Sequence, residues 1–572
     1  MAGLKKPIAI ITAMHTDGTQ FKKLGDTLRN GLFLTLLAMA LLLSWTAMSP
    51  CLKNGFINWD ETEYITRNPK IKTLTSESLK AMFSTTDLGM YSPLSTLSCA
   101  LDYHFFGLNP GAYHATSLLL HLANTALTMF LALLLLDSVW AAFFVGLLFG
   151  VHPAHVESVV WAAERKDVLY AFFYLAALAA YALRLRGART YFLSLALFAC
   201  ALLSKPMAVT LPLALVLIDY LGPDGVPRRR WRDKIPFFIL AGLSTAVLMG
   251  PPGANAAAAV HKGNRLVTPL YNLGFYIYTL LWPFDLSAMY VSVPGGKVVY
   301  YGLAAAMPAA IAILWRYFRR DKQIVFGAAF FTVMLLPVLQ FFPFGPVISA
   351  DRYTYLSSIG VFMIAAVCAR RLGPALQRRG KLIAAACAIA AVMTLTVAAR
   401  VRCAVWHDGV SLWNDTLLKQ PRAVPAMINL CGAYIQANRD AEAAACLSQA
   451  ISIYPQNDDN YYNLGFLSVR RGEFKKAEEY FKHTLLISPC HAPALNNLGN
   501  ICLLKGEKEK AAAYYAASAA CDSSYYAAHI NLGKLALADN DAAKALPFYE
   551  KALKADPSDE ATRTLLKTLR RN

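Results

Sequence analysis

The chain has 572 residues, of which 56% are hydrophobic and 16% are charged, and its formal net charge is +19. A soluble chain carries about 25% charged residues, so this composition excludes an ordinary soluble protein. The Lys and Arg residues fall in short clusters between apolar runs, which indicates a multi-span membrane protein with basic cytoplasmic loops and argues against nucleic-acid binding.

Apolar runs reach or approach the roughly 20 residues that a helix needs to cross a bilayer. We predict eleven spans, near 31–50, 116–136, 138–151, 167–183, 190–203, 207–221, 235–250, 299–315, 324–343, 354–369 and 382–400. The stretch near 268–284 contains two prolines and lacks a basic flank, so we interpret it as an interfacial or re-entrant segment.

The basic clusters set the predicted orientation. The N-terminal segment 1–30 carries Lys5, Lys6, Lys22, Lys23 and Arg29, which places it in the cytoplasm. The later clusters are Arg184, Arg186 and Arg189; Arg228, Arg229, Arg230, Arg232 and Lys234; Arg316, Arg319, Arg320 and Lys322; and Arg370, Arg371, Arg378, Arg379 and Lys381. With eleven spans, every basic cluster lies on the same, cytoplasmic side of the membrane. We therefore predict a protein of the inner (cytoplasmic) membrane whose C-terminal part is periplasmic or otherwise extracytoplasmic.

The C-terminal part is repetitive. The triplet Asn-Leu-Gly recurs with a period of 34 residues at Asn463, Asn497 and Asn531, and Asn429-Leu430 stands one period earlier. Small residues keep the same register at Ala443, Ala477, Ala511 and Ala545. This period is typical of tetratricopeptide repeats, in which paired helices stack into a solenoid. We predict an all-α protein with a membrane domain at 31–403, a linker at 404–423 and four repeats plus a C-terminal helix at 424–572.

The four asparagines suggest how the repeats bind. Asn429, Asn463, Asn497 and Asn531 share one position on the first helix of each pair. Such a ladder predicts hydrogen bonds to the main chain of an extended acceptor peptide. The alternative is that these residues only cap or pack helices. Five of the eleven cysteines lie in the repeats, where an oxidising compartment would allow a disulfide whose pairing the sequence leaves open.

Two acidic loops follow predicted spans on the outer side. In the first, Asp60 and Glu61 are candidates for a general base that takes a proton from an acceptor hydroxyl, or for metal ligands. In the second, His152, His155 and Glu157 could bind a divalent metal, although the spacing is not that of a zinc-protease helix. An ordinary solvated loop is the alternative for the first acidic pair.

Positive charges on the outer side oppose the usual membrane bias, which favours a functional interpretation. Arg165, Lys166, Lys205 and Arg352 are the candidates for binding a phosphate. The predicted supporting residues of the site are Tyr91, His152, His155, Glu157, Asp167 and Asp351. Asp351 and Arg352 could instead simply pair with each other.

The combination of motifs resembles one family. The chain contains N-G-F-x-x-x-D-E from Asn54, Y-S-P-L from Tyr91, G-L-N-P-x-x-Y-H from Gly107, H-P-x-H-x-E-S-V from His152 and D-R-Y-T-Y-L from Asp351, followed by repeats. This set is similar to the transmembrane-and-TPR protein O-mannosyltransferases and their bacterial relatives, within the C-type glycosyltransferase superfamily. The resemblance implies that the acidic pair Asp60 and Glu61 is catalytic. Ser92 departs from the Arg of eukaryotic members, and Ser357 from the Pro of many bacterial ones.

The resulting hypothesis is an inverting membrane glycosyltransferase that moves a sugar from a polyprenyl-phosphate donor to Ser or Thr of an exported protein presented by the repeats. Membrane lipid is the other expected partner, and the sequence leaves open whether a divalent metal is needed as a cofactor. Three other functions stay open: a non-enzymatic scaffold for envelope assembly, transfer of a sugar or glycan to a glycolipid, and a transporter. A transporter would carry more charged residues within its spans.

Overall fold

The computed structural model describes residues 25–28, 30–183, 188–221, 231–248, 264–293, 295–341, 347–556 and 559–570. The basic residues Lys5, Lys6, Lys22, Lys23, Arg29, Arg184, Arg186, Arg228, Arg229 and Arg230 lie outside the described residues. Among those described, the only β-type pairings are two isolated bridges, and helices form almost everything else. The prediction of an all-α protein is confirmed.

The chain divides into two compact units. The first consists of Met1–Thr66 and Thr75–Ala423, and the second of Arg67–Leu74 and Val424–Asn572. The helices of the first unit are α1 (Gly31–Met48), α2 (Ser76–Ser84), α3 (Pro93–Phe106), α4 (Pro110–Leu136), α5 (Val139–Val151), α6 (Val156–Val160), α7 (Arg165–Ala182), α8 (Ala188–Ser204), α9 (Leu211–Leu221), α10 (Ile235–Leu248), α11 (Val267–Leu281), α12 (Gly296–Phe318), α13 (Lys322–Leu335), α14 (Thr354–Leu372), α15 (Arg378–Val405) and α16 (Gly409–Lys419).

Every predicted span position holds a helix, but the helices differ in length. Five stretches of the described chain are long and apolar enough to cross a membrane: Gly31–Lys53, Pro110–Leu136, Gly296–Phe318, Asp351–Ala375 and Arg378–Val405. A sixth span results if α5 and the bent segment after it cross the membrane together. Three other apolar helices are too short to meet the same length criterion. Several membrane helices are thus present, and the count of eleven spans stays a prediction. The stretch predicted as interfacial or re-entrant forms α11, which has 15 residues.

Small residues allow close helix packing in this unit. Gly327 on α13 and Gly360 on α14 face each other so closely that a Cβ on either would collide with backbone atoms of the other helix. Close approach of this kind is typical of membrane helices, where dispersion contacts between helices replace the hydrophobic effect.

Within the described residues from Val424 onward, the second unit forms four antiparallel helix pairs and a final helix. Its helices are α17 (Val424–Gln436), α18 (Asp440–Ile453), α19 (Asp458–Arg470), α20 (Phe474–Ile487), α21 (Ala492–Leu504), α22 (Lys508–Cys521), α23 (Tyr526–Ala538), α24 (Ala542–Ala555) and α25 (Glu560–Leu569). Consecutive pairs bury a shared apolar face, as in the cluster of Ala477, Phe481, Ala494, Leu498 and Ile501. This is the tetratricopeptide solenoid that the period of 34 predicts.

The Asn-Leu-Gly triplet has a packing cause. A Cβ at Gly465 would lie 2.6 Å from the ring of Phe481, and one at Gly499 would lie 2.5 Å from the ring of Tyr515. In the second, third and fourth pairs the first helix therefore needs glycine where the second helix places an aromatic ring, as Gly533 against Tyr549 also shows. The alanines of the second helices are fully buried at the same crossings.

Two disulfides pair four of the five repeat cysteines. Cys431 bonds Cys446 and joins the two helices of the first pair, whereas Cys490 bonds Cys521 and joins the two ends of the third pair. Cys502 is a free thiol. Disulfides of this kind persist in oxidising compartments.

Candidate active site

The first acidic loop places Asp60 and Glu61 in different surroundings. The Asp60 side chain is half-buried, and within the described part of the chain no hydrogen bond or ion pair engages its carboxylate. Glu61 is fully buried. Its Oε1 accepts a hydrogen bond from the amide of Ala162 at 2.9 Å, and its Oε2 accepts one from the amide of Ile57. Asp60 is thus accessible to a substrate, whereas Glu61 fastens the first loop to the second.

Burial is the main influence on both carboxyl groups. Burial raises the pKa of Asp60, and the charge of Lys166 partly opposes this. Burial also raises the pKa of Glu61 to about 8, although the amides of Ile57 and Ala162 favour its ionised form. A carboxylate with a raised pKa is a stronger base than one in water, which suits proton abstraction from a hydroxyl.

The second acidic loop, residues 152–167, is buried along its whole length. Helix α5 ends at Val151 because a residue before proline disfavours the helical conformation, and His152 is extended with φ −72° and ψ 127°. The axes of α5 and the following segment Pro153–Val160 are bent by 55°. The bend carries ionisable side chains into the interior, where each needs a partner.

Glu164 is the centre of a buried charge cluster. Its Oε1 lies 2.5 Å from Lys205 Nζ, and its Oε2 lies 3.4 Å from Lys166 Nζ. Lys205 also lies 2.5 Å from Asp167 Oδ1, and Asp167 Oδ2 accepts a hydrogen bond from Ser158 at 3.1 Å. Lys166 stands 4.3 Å from the ring centre of Tyr64. Lys166 and Lys205 are therefore neutralised by protein carboxylates.

Arg352 joins this cluster from the loop before α14. Its Nη1 forms an ion pair with Glu157 Oε1, its backbone amide donates to Glu157 Oε2 at 3.0 Å, and its Nε lies 4.0 Å from Glu164 Oε1. Asp351 does not pair with Arg352 but accepts a hydrogen bond from the hydroxyl of Tyr290 at 2.8 Å. Of the four cations predicted to bind phosphate, Arg352 has the most exposed side chain, at 15%.

Arg165 turns away from the Glu164 cluster. Its guanidinium lies 2.5 Å from Asp102 and donates to the carbonyl oxygens of Tyr113 and Ser98 at 2.7 and 3.3 Å. The side chain is 1% exposed. A phosphate would have to displace these partners, so the geometry favours a structural role for Arg165 over the predicted phosphate binding.

The hypothesis of a metal site at His152, His155 and Glu157 does not fit the geometry. His152 Nε2 lies 3.0 Å from the carbonyl of Leu280, and His155 Nδ1 lies 2.8 Å from that of Phe149, so these nitrogens donate hydrogen bonds. Glu157 is held by Arg352. Over the described residues, no three His, Cys, Asp or Glu side chains form a group that could hold a metal ion.

Aromatic stacking brings the acidic pair and the cluster together. Trp59, which precedes Asp60, stacks on Trp161 with ring centres 4.2 Å apart. The guanidinium of Arg352 lies 5.6 Å from the ring centre of the same Trp161. Tyr91, by contrast, donates its hydroxyl to the carbonyl of Phe83 at 3.0 Å and lies in a more exposed environment. This hydrogen bond does not connect Tyr91 to the charge cluster, so its supporting role stays a prediction.

The asparagines of the repeats make local hydrogen bonds. Asn531 Nδ2 donates to Asn496 Oδ1 at 2.8 Å, and Asn500 Nδ2 donates to Asn497 Oδ1 at 3.4 Å. Asn429, Asn463, Asn497 and Asn531 are all half-buried. The ladder is part of a polar network between neighbouring repeats, and its peptide-binding role stays a prediction.

Sequence reasoning missed Glu164 and Asp102 as members of the site. Each is the partner of a predicted phosphate-binding cation. Glu164 stood within the acidic loop, and its position next to two basic residues was the available signal. Asp102 lies on α3, far from Arg165 in the sequence, so only the fold reveals that pair.

Comparisons with known proteins place this chain among named relatives. A tetratricopeptide repeat family model matches residues 462–526 and 522–560. The chain is 31% identical over 229 residues to protein O-mannosyl-transferase Tmtc1 of Drosophila melanogaster, covering 35% of this chain and 27% of that protein. It is 42% identical over 128 residues to protein O-mannosyl-transferase TMTC2 of Homo sapiens, covering 21% and 15% respectively.

A longer match extends over most of the chain. Protein O-mannosyl-transferase F38B6.6 of Caenorhabditis elegans is 24% identical over 472 residues, covering 77% of this chain and 61% of that protein. The matched regions thus span less than two thirds of each of these relatives. A solved thermophilic TPR protein of Thermus thermophilus aligns with 31% of this chain and 94% of its own, at 21% identity and a TM-score of 0.25.

Proposed function

Because the chain is a relative of the TMTC protein O-mannosyl-transferases, we propose that it is an integral-membrane glycosyltransferase that mannosylates Ser or Thr residues of exported proteins. The observation that carries the proposal is Asp60, an accessible carboxylate without a hydrogen-bonding partner among the described residues, beside a cluster that contains Lys166 and Arg352. An accessible carboxylate can serve as the base, and the neighbouring cations can stabilise a negatively charged leaving group.

The donor follows from the compartment. Nucleotide sugars are cytoplasmic, so a transferase that faces outward needs a sugar on a lipid carrier such as a polyprenyl phosphate. The outward orientation is itself part of the proposal. It is supported by the two disulfides of the repeats, which require oxidising surroundings to persist.

The reaction is a single displacement. The acceptor hydroxyl oxygen attacks the anomeric carbon, its proton passes to the Asp60 carboxylate, and the bond from the anomeric carbon to the phosphate oxygen breaks. The polyprenyl phosphate leaves with that electron pair, and the anomeric centre is inverted. The leaving phosphate gains negative charge and needs a preorganised cation rather than a proton.

Arg352 is the best-placed cation for the phosphate. Its side chain is the most exposed of the four candidate cations, and its planar guanidinium suits phosphate oxygens. Glu157 and the ring of Trp161 hold it in position. Lys166 and Lys205 balance the buried carboxylates of Glu164 and Asp167. Glu61 positions the acidic loop through its two backbone hydrogen bonds.

A glycoproteomic comparison tests the proposal. Exported proteins from cells with the wild-type chain, without it, and with Asp60→Asn are digested and their Ser and Thr residues are searched for added hexose. We expect hexose that requires the wild-type protein and is lost with the variant. Glycolipids are measured in the same cells. A change confined to glycolipids, or no change with a normally inserted protein, would contradict protein mannosylation, the second result favouring a scaffold.

A further inference from the structure

A short stretch of the first acidic loop belongs to the same compact unit as the repeats. Residues Arg67–Leu74 form one unit with Val424–Asn572, whereas the loop residues before and after this stretch belong to the first unit. Within it, Asn68 is 3% exposed and Ile71 is fully buried. A solvated linker would leave such side chains exposed, so Arg67–Leu74, named here the strap, is a packed part of the second unit.

The strap faces the repeats at both of its ends. Near its last residues, Lys72 Nζ lies 3.5 Å from Oδ2 of Asp556, the residue that follows α24. At its start, the charge of Arg67 acts on two tyrosines: burial raises the pKa of Tyr462 and raises that of Tyr525 to about 12, and Arg67 opposes both shifts. Tyr462 lies in the second repeat and Asp556 at the end of the fourth. The strap thus crosses successive repeats, as a bound peptide would.

The surface that faces the strap includes the asparagine ladder. Tyr462 forms a hydrogen bond with Asn497, which is one of the four ladder residues. Asparagine side chains can pair with the main chain of an extended peptide. The strap and the acceptor predicted for this ladder would therefore compete for the same surface.

The charges of the two surfaces are complementary. The strap contains no acidic residue and three cations, which are Arg67, Lys70 and Lys72. Three carboxylates lie beside the tyrosines and the lysine that mark its path, and these are Asp459, Asp522 and Asp556. A single exposed ion pair contributes little, so binding depends on several charges together. The surface suits an extended segment that is rich in Lys or Arg.

We propose that the strap is an internal ligand of the repeats and that a basic, extended acceptor segment binds in its place. The proposal rests on the proposed function only in naming the incoming peptide an acceptor. Because the strap is tethered, its effective concentration is high, on the order of mM for short linkers, and an acceptor must outcompete it. Arg67 follows Asp60 by only seven residues, so displacement of the strap frees the end of the loop that carries the proposed base.

Peptide binding to the full chain in detergent tests the strap without requiring sugar transfer. The probe is a fluorescent peptide with the sequence of residues 66–75, and no sugar donor is present. Replacing Arg67, Lys70 and Lys72 together by Ala weakens the internal competitor, so the probe should bind about tenfold more tightly than to wild type. Lys80→Ala is the matched control, because Lys80 is an exposed cation of the same loop outside the strap.

Variants of the repeats locate the binding surface. In the chain with the triple Ala substitution, Asp459→Asn combined with Asp556→Asn should weaken probe binding by about three- to tenfold. Glu479→Gln combined with Glu509→Gln removes two exposed carboxylates from the second helices of their pairs and should leave the affinity unchanged. A probe that carries Gln in place of its three cations should bind more weakly to every variant.

Hydrogen exchange follows the strap in the wild-type protein and needs no substitution. The amides of residues 67–74, read from peptic fragments longer than the probe, should exchange faster at saturating probe, whereas those of α2 should not change. Equal probe affinity for wild type and the triple Ala variant, or strap amides that stay protected at saturating probe, would overturn the proposal. A strap that is displaced in a protein that mannosylates nothing would contradict only the proposed function.

Discussion

The ammonium of Lys205 and the carboxylate of Glu164 are 2.5 Å apart, and neither side chain is more than 4% exposed. Removing two charges from water is costly, and their attraction offsets this cost only when the remaining lone pairs and protons also find partners. Lys205 has Asp167 as a second partner, and Glu164 has Lys166 and Arg352. The pair therefore anchors the second acidic loop and fixes the cations near the candidate active site.

Breaking this pair from one side should destabilise the protein. Glu164→Gln and Lys205→Met each leave a buried charge with too few partners, at a cost of roughly 3–5 kcal/mol. The double variant should lose less stability than the sum of the losses in the two single variants. Thermal unfolding in detergent measures the cycle, and Lys476→Met on an exposed ion pair of the repeats is the control. Strict additivity would show that the two charges do not depend on each other.

Asp60→Asn should abolish sugar transfer while the protein still folds and inserts. The substitution keeps the shape of the side chain but removes the base, whose loss costs about 10²–10⁴-fold in rate. Glu63→Gln, on the exposed side of the same loop, should leave the rate unchanged. The assay uses purified protein with a lipid-phosphate mannose and a peptide acceptor. Full activity of Asp60→Asn would rule out the general-base assignment.

Glu61→Gln should flatten the dependence of stability on pH and reduce transfer less than Asp60→Asn does. Glu61 has an ordinary pKa of 4.5, which burial raises to about 8 in the folded protein. Between these values the folded state keeps a proton that the unfolded state has released, so stability falls as pH rises from 4.5 to 8 and then levels off.

The uncharged variant lacks this contribution of Glu61. Melting temperatures of wild type and Glu61→Gln, measured from pH 4.5 to 9, should therefore diverge by about 2 °C or more in favour of the variant as pH rises. Part of the slope should remain in the variant, because the pKa of Asp60 is raised as well. Parallel curves for the two proteins would contradict the raised pKa of Glu61.

Reporter fusions should establish the orientation in the membrane. A reporter that is active only outside the cytoplasm should be active after residue 572 and silent near residue 230. The reason is the predicted location of all basic clusters on the cytoplasmic side. A cytoplasm-active reporter at the same two sites is the complementary control. The reverse pattern of activities would refute both the topology and the argument for a lipid-linked donor.

Replacing Asn463, Asn497 and Asn531 together by Ala should weaken acceptor binding. Each hydrogen bond contributes about 0.5–1.5 kcal/mol, so the acceptor Michaelis constant should rise by roughly one to three orders of magnitude while turnover at saturation survives. Asn496→Ala is the matched control, because it removes the bond to Asn531 without removing a ladder residue. An unchanged Michaelis constant in a folded variant would make the ladder purely structural.

The sequence by itself determined the membrane helices, the solenoid and the loops that carry chemistry. Hydropathy predicted the helix positions because apolar length is a local property, and the 34-residue period fixed the repeats because each pair packs only on its neighbours. Glycine at 465 and 499 belongs to the same local pattern, with its aromatic partners one helix away.

Only the tertiary structure decided how the charged residues divide their roles. The sequence treated Arg165 and Arg352 alike, but Arg165 is enclosed by Asp102 on α3, whereas Arg352 is partly exposed beside Trp161. It likewise left open which repeat cysteines pair, and the fold joins four of them as Cys431–Cys446 and Cys490–Cys521. The energy of a charge depends on its burial and on partners that come from distant parts of the chain, and no local pattern encodes either.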